Sequence, residues 1–184
     1  MNIINLVFDF LVLLGGLALL LVGMRRGFIR SLLSTVALLL AIAFAGLIAP
    51  AIVGVFVTQA GAQSETPSGI VFAAVVIAIY AALEVLLRHN FPNTRIQRIG
   101  LLDNILGFVC AIPWALLALG LIVNCLGYVN FAVMGTEGSG FIGDWYTSSR
   151  IVAFVTAVLA APIRAMLFLY PNGLPQPLAF FARG

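Results

Sequence analysis

Apolar positions in this chain come in long unbroken blocks separated by short polar segments, with no strand-like alternation. A helix rising about 1.5 Å per residue needs roughly 20 apolar residues to cross a hydrocarbon layer of about 30 Å. The blocks predict four such spans, at about residues 3–22, 31–57, 68–87 and 101–126, the first interrupted only by Asp9. Pro50 and Pro113 fall inside the second and fourth and are expected to kink them. Thr66 and Pro67 are residue types favoured at a helix start, which places the opening of the third. Ala, Leu and Gly dominate the blocks, so a membrane β-barrel is excluded.

A fifth apolar block, about residues 149–170, is opened by Ser148 and Ser149. Arg150 and Arg164 bracket only about 20 Å of it, and Pro162 interrupts it, so it is expected to tilt strongly or to lie partly embedded at the interface. Between the fourth and fifth blocks, Tyr128, Phe131, Phe141, Trp145 and Tyr146 suit the interfacial zone where amphipathic rings settle. The tail "PNGLPQPLAFFARG" is too rich in proline for a long helix, and its Leu178, Phe180 and Phe181 are expected at the bilayer surface. Small residues recur at four-residue spacing, Ala37, Ala41 and Ala45 in span two and Gly107, Ala111 and Ala115 in span four. Such strips let helices approach closely. The expected fold is an all-α, polytopic transmembrane helical bundle of four spans plus a fifth tilted or interfacial C-terminal helix, one integral membrane domain over residues 1–184.

Composition agrees. The chain is 63% hydrophobic and 8% charged, where soluble domains run at about 45–50% and about 25%. All nine basic residues are arginine, and the net charge of +3 is too small and scattered for a nucleic-acid footprint. Arg25, Arg26 and Arg30 lie between spans one and two, and Arg88, Arg95 and Arg98 between three and four, while the loop between two and three has none. The positive-inside bias puts the first and third loops in the cytoplasm and the N-terminus outside. Arg25 and Arg26 follow the first apolar block instead of preceding it, so this block is expected to remain as a span and not to be cleaved as a signal. Cys110 and Cys125, about 22 Å apart along one helix, read as packing residues rather than a bridge.

Charges inside a membrane are the first candidates for function. Glu84 and Arg88 stand one turn apart and are expected to pair. Asp9 has no local partner; it either pairs with Arg150 across the bundle or reaches the outer headgroups. His89, the lone histidine, sits in a loop, so no metal site is expected. No phosphate-binding loop and no nucleophile–base set is visible, hence no catalytic residue and no cofactor are expected, and the chain is read as a non-enzyme. The proline-broken spans keep a small transporter or channel as an alternative.

The stretch "NLVFDFLVLLGGLALLLVGMRRGFIRSLLSTVALLLAIAFAG" resembles the opening of the colicin V production protein family, with an early aspartate, Asp9, and the turn Arg26-Gly27-Phe28. A second stretch, "IGLLDNILGFVCAI", is similar to the family's next recognisable segment, with Asp103, Leu106 and Gly107 in place. The closing "SSRIVAFVTAVLAAPIRAMLFL" resembles its C-terminal amphipathic segment. The chain departs from the family pattern at Ser31, at Asn104 and in "IPWALLALG", which alters charged positions that a partner would read. In the turn, glycine permits the reversal, arginine holds headgroups and phenylalanine sits at the interface. Asp103 is placed to face the positive end of its helix, within reach of Arg98. The resemblance implies a scaffold or assembly protein of the bacterial cytoplasmic (inner) membrane, acting in toxin production or secretion and envelope maintenance. Its partners would be the lipid bilayer, other integral membrane proteins and, as an open alternative, further copies of itself. An accessory subunit of a larger respiratory or photosynthetic complex is the remaining alternative.

Overall fold

A computed structural model describes residues 3–60, 66–91, 100–134, 140–171 and 173–182, and among these every regular element is helical. The order is α1 (Ile3–Arg26), α2 (Phe28–Ala60), α3 (Thr66–Asn90), α4 (Gly100–Met134), α5 (Phe141–Ser148) and α6 (Arg150–Ala165). A 3₁₀ turn (Met166–Leu169) and α7 (Gln176–Phe181) follow. Five helices, α1 to α4 and α6 with its 3₁₀ extension, are long and apolar enough to cross a membrane. The chain is a multi-pass membrane protein.

The four long helices outrun the apolar blocks that announce them. Backbone groups near a bilayer must be bonded within their own segment, so a helix continues through polar flanks until a breaker stops it. At the α1–α2 junction that breaker is Gly27, at φ 82°. Beyond the fourth block, α4 runs on to Met134, which puts Tyr128 and Phe131 on a helix instead of in a loop.

Burial separates the helices into two classes. The apolar windows of α2 and α4 are 44% and 39% buried, those of α1 and α3 only 11% and 17%. The first pair is therefore the centre of the bundle, and the second presents leucine and valine side chains to lipid. Ala37, Ala41, Ala45, Ala111 and Ala115 are all buried, so both small-residue strips face helix contacts. At Gly23 α1 lies tight against α4: a Cβ there would lie 2.0 Å from that of Ala111.

The aromatic segment corrects the interfacial expectation. Trp145 is 1% exposed and Tyr128 5% exposed. α5 folds back on α1 and α4, setting Trp145 beside Phe8 at 5.2 Å between ring centroids. A ring with one polar atom suits an interface or an interior with a hydrogen-bond acceptor equally well, and for Trp145 the acceptor is Asp9.

The tail is corrected in the same direction. Leu178 and Phe181 are fully buried, and Phe181 meets Phe72 edge-on at 5.6 Å. Phe180 touches Tyr128, Phe131 and Tyr146. The path of α6 is oblique. It starts beside Asp9, Tyr170 after it donates to the Ala43 carbonyl near the middle of α2, and α7 returns to Phe72 and Tyr146 near the end where α6 began. Arg164, in the last turn of α6, ties the two arms by donating from Nε and Nη2 to the Ala182 carbonyl at 3.0 and 2.7 Å.

Candidate functional site

Three polar assemblies sit in this apolar frame. The first surrounds Glu84. Because α1 ends and α2 begins at the same end of the bundle where α3 ends, arginines from all three helices converge there. Arg30 Nη2 lies 3.0 Å, Arg88 Nε 3.6 Å and Arg26 Nη1 3.9 Å from Glu84 Oε1. Ser34 donates to the other oxygen, Oε2, at 3.0 Å. The Arg26 guanidinium also stacks over the Trp114 ring at 4.8 Å, and the indole of Trp114 donates to Tyr80. The local pair of Glu84 with Arg88 is thus present as one contact of a larger set. Its closest guanidinium comes from Arg30, 54 residues away. Spacing along one helix shows the i+4 partner and is blind to α2.

The second assembly is the turn. Asp103, in the first turn of α4, is 3% exposed and accepts from the Phe28 backbone N–H at 3.1 Å. It therefore caps the start of α2, where the helix dipole favours negative charge. A Cβ on Gly27 would come within 2.7 Å of Asp103 Oδ2, and one on Gly107 within 2.9 Å of the Gly27 carbonyl carbon. Neither position has room for a side chain, and the backbone at Gly27 needs a positive φ as well. Gly27, Phe28, Asp103 and Gly107 are thus one contact, while Arg26 turns to Glu84 and Trp114 and Leu106 is 43% exposed. The expected meeting of Asp103 with Arg98 falls outside the described residues.

The third assembly is at the opposite end of α1. Asp9 Oδ1 accepts from Trp145 Nε1 at 2.8 Å and from the Ser149 hydroxyl. The same Ser149 Oγ accepts from the backbone N–H groups of Ile151 and Val152, capping α6. Asp9 makes no ion pair among the described residues, and Arg150 is exposed, so the expected Asp9–Arg150 pair is replaced by two neutral donors. Next to it, Tyr146 donates to Asn124 Oδ1 at 2.9 Å, and burial pushes its phenol up to about 12. Trp145 and Ser149 escape a sequence reading that searches for opposite charge; the helix-opening "TSSR" was the available signal for Ser149.

Chemically, these assemblies hold helices together. Among the described residues no group of His, Cys, Asp and Glu is arranged to hold a metal ion. His89 is exposed in the last turn of α3 rather than in a loop, and Cys110 and Cys125 are both unpaired and half-buried.

No curated protein and no solved structure matches the chain. Residues 8–160 match the family model described as Colicin V production protein. The match contains all three assemblies, from Asp9 through the Gly27 turn and Glu84 to Ser149. The chain belongs to the colicin V production protein family.

Proposed function

We propose that this protein is a non-enzymatic scaffold or assembly factor of the bacterial cytoplasmic membrane that supports toxin production and secretion. In this reading the N-terminus is outside and the Gly27 turn faces the cytoplasm. The observation that carries the scaffold role is the use of the carboxylates: Asp9, Glu84 and Asp103 each join separate helices. The one described cavity that any of them lines, at Asp9, is otherwise walled by Leu6, Val7, Phe10, Leu13 and Ile151, an apolar lining that suits lipid or a neighbouring helix better than a polar transport pathway. Family membership supports the link to toxin production. The gathering of Arg26, Arg30 and Arg88 at one end supports the orientation, since arginine-rich connections are retained in the cytoplasm.

Two experiments test it. In a toxin-producing bacterium, deleting the gene should lower toxin in the culture supernatant, and the wild-type chain should restore it. Unchanged secretion overturns the role. For topology, cysteine is introduced at Arg88 or Phe141 in a chain lacking Cys110 and Cys125. A membrane-impermeant thiol reagent should reach Phe141→Cys in intact cells and Arg88→Cys only after permeabilisation; the reverse pattern overturns the orientation.

A further inference from the structure

The Glu84 assembly is unbalanced. Three guanidiniums approach a single carboxylate, so the cluster keeps a formal charge of +2. Of the other three described carboxylates, Asp9 and Asp144 lie at the opposite end of the bundle, and Asp103 accepts from the Phe28 N–H and makes no ion pair. Guanidinium carries five N–H donors in a planar fork. Among the described residues, Arg30 and Arg88 meet no acceptor besides Glu84, and Arg26 adds only Ser34 Oγ at 3.5 Å and the Trp114 face. The donors not aimed at Glu84 need an acceptor, and water alone serves poorly at the edge of a hydrocarbon layer.

Depth and order define what fits. Arg26 ends α1, and Arg88 lies two residues before the last residue of α3, which sets them at the level of headgroup phosphates. Arg26 and Arg30 side chains are only 20% and 18% exposed and are held in place by Trp114 and Glu84, whereas the Arg88 side chain is 63% exposed and stands at the rim. Two half-buried guanidiniums and an exposed third form a cradle for a tetrahedral oxyanion, because each fork offers paired donors to two oxygens of one phosphate. The lipid-facing leucine and valine surface of α1 and α3 begins directly beside it, with Val85 and Leu86 65% and 55% exposed. Acyl chains have an apolar wall to lie against.

We infer that Arg26, Arg30 and Arg88 form a specific site for a phosphate-bearing anion, the headgroup of an anionic phospholipid in the leaflet at that end of the bundle. Glu84 has two opposed effects there: it holds the arginines in place, and it competes with the phosphate for them. Basic recesses between membrane helices are suited to anionic headgroups, each arginine contributing about 1 kcal/mol, or about fivefold in affinity.

The test uses the purified full chain in a neutral detergent and native mass spectrometry with added phosphatidylglycerol, phosphatidylcholine or inorganic phosphate. One phosphatidylglycerol per chain should be retained in preference to phosphatidylcholine by at least about tenfold, as expected for more than one arginine. Arg88→Gln and Arg30→Gln should each lower retention about fivefold. Glu84→Gln should lower thermal stability yet raise retention, a split in sign that a purely structural cluster does not produce. Retention that survives millimolar phosphate assigns the anion to lipid. Displacement by phosphate keeps the arginine site but overturns the lipid headgroup as its source. Equal retention of both lipids, or indifference to Arg88→Gln and Arg30→Gln, overturns the site.

Discussion

The two ends of the bundle solve one problem, an acid inside an apolar frame, in opposite ways. Glu84 is surrounded by cations from α1, α2 and α3, elements adjacent in sequence. Asp9 takes neutral donors from Trp145 and Ser149, 136 and 140 residues distant. An ionic cluster tolerates excess charge only where headgroups and water share it, and it weakens as salt rises. Hydrogen bonds from an indole and a hydroxyl satisfy a carboxylate without bringing in a second charge. The arginine end is thus built to interact with its surroundings, and the Asp9 end to lock late-arriving helices onto α1.

Packing follows the same division, and this gives the largest expected effect. At Gly23, towards the arginine end, an added Cβ lies 2.0 Å from Ala111 Cβ; at Gly16, towards Asp9, the nearest atom is the tip of Leu119 at 3.0 Å. A leucine tip can rotate away, but a helix-borne Cβ moves only with its helix. Gly23→Ala should cost about 3 kcal/mol through overpacking, and Gly16→Ala less than about 1 kcal/mol. Unfolding in a denaturing detergent titration measures both. Equal losses would break the distinction between a rigid and a yielding end.

Next in size is removal of the acids. Glu84→Ala leaves three guanidiniums without their shared anion and should cost about 2–3 kcal/mol, below a fully buried pair because headgroups and water screen the site. The difference from wild type should shrink in high salt. Asp9→Ala should cost about 1–2 kcal/mol with little salt dependence, and should shift Trp145 fluorescence as its indole loses an acceptor. A double-mutant cycle with Ser149→Ala should show coupling of about 1 kcal/mol, and one with Arg150→Gln should show none. Coupling to Arg150 instead of Ser149 would restore the ion pair that charge complementarity suggests.

That cycle also marks where the sequence is legible. Spans are written plainly, since lipid demands about 20 apolar residues in a row and little else produces them. Asp9, Glu84 and Asp103 stand out for the same reason, as charges in apolar surroundings. Their partners do not. Ser149 was readable as a helix opener, but one hydroxyl that caps α6 and also serves Asp9 depends on how α6 docks. Arg30 reads as a topology anchor, and nothing marks Ser34, until α2 and α3 are side by side. Trp145 carries an amphipathic signal that an interface and a satisfied interior share. The burial of Leu178 rests on Gly46, whose missing side chain leaves room for Tyr170 and Leu178; a lone glycine in an apolar run does not announce that.

The smallest effect is nil at neutral pH and appears only in strong base. Tyr146, beside the Asp9 lock, donates to Asn124, and Asn124 donates in turn to the Gly120 carbonyl at 2.8 Å. Burial raises the phenol to about 12, against about 10 in the unfolded chain. A folded pKa above the unfolded one means that the protonated form is favoured by folding. Its contribution is therefore complete below about pH 10 and is lost as pH rises through about 12. Stability of wild type relative to Tyr146→Phe should be flat up to about pH 10 and then fall, because tyrosinate has no proton to give Asn124. Arginine stays charged across this range, so the loosening should be confined to the Asp9 end, visible as a change in Trp145 fluorescence that Tyr146→Phe abolishes. If the Trp145 change persists in Tyr146→Phe, or if the wild-type and phenylalanine curves run parallel to about pH 12, Tyr146 does not hold the Asp9 end.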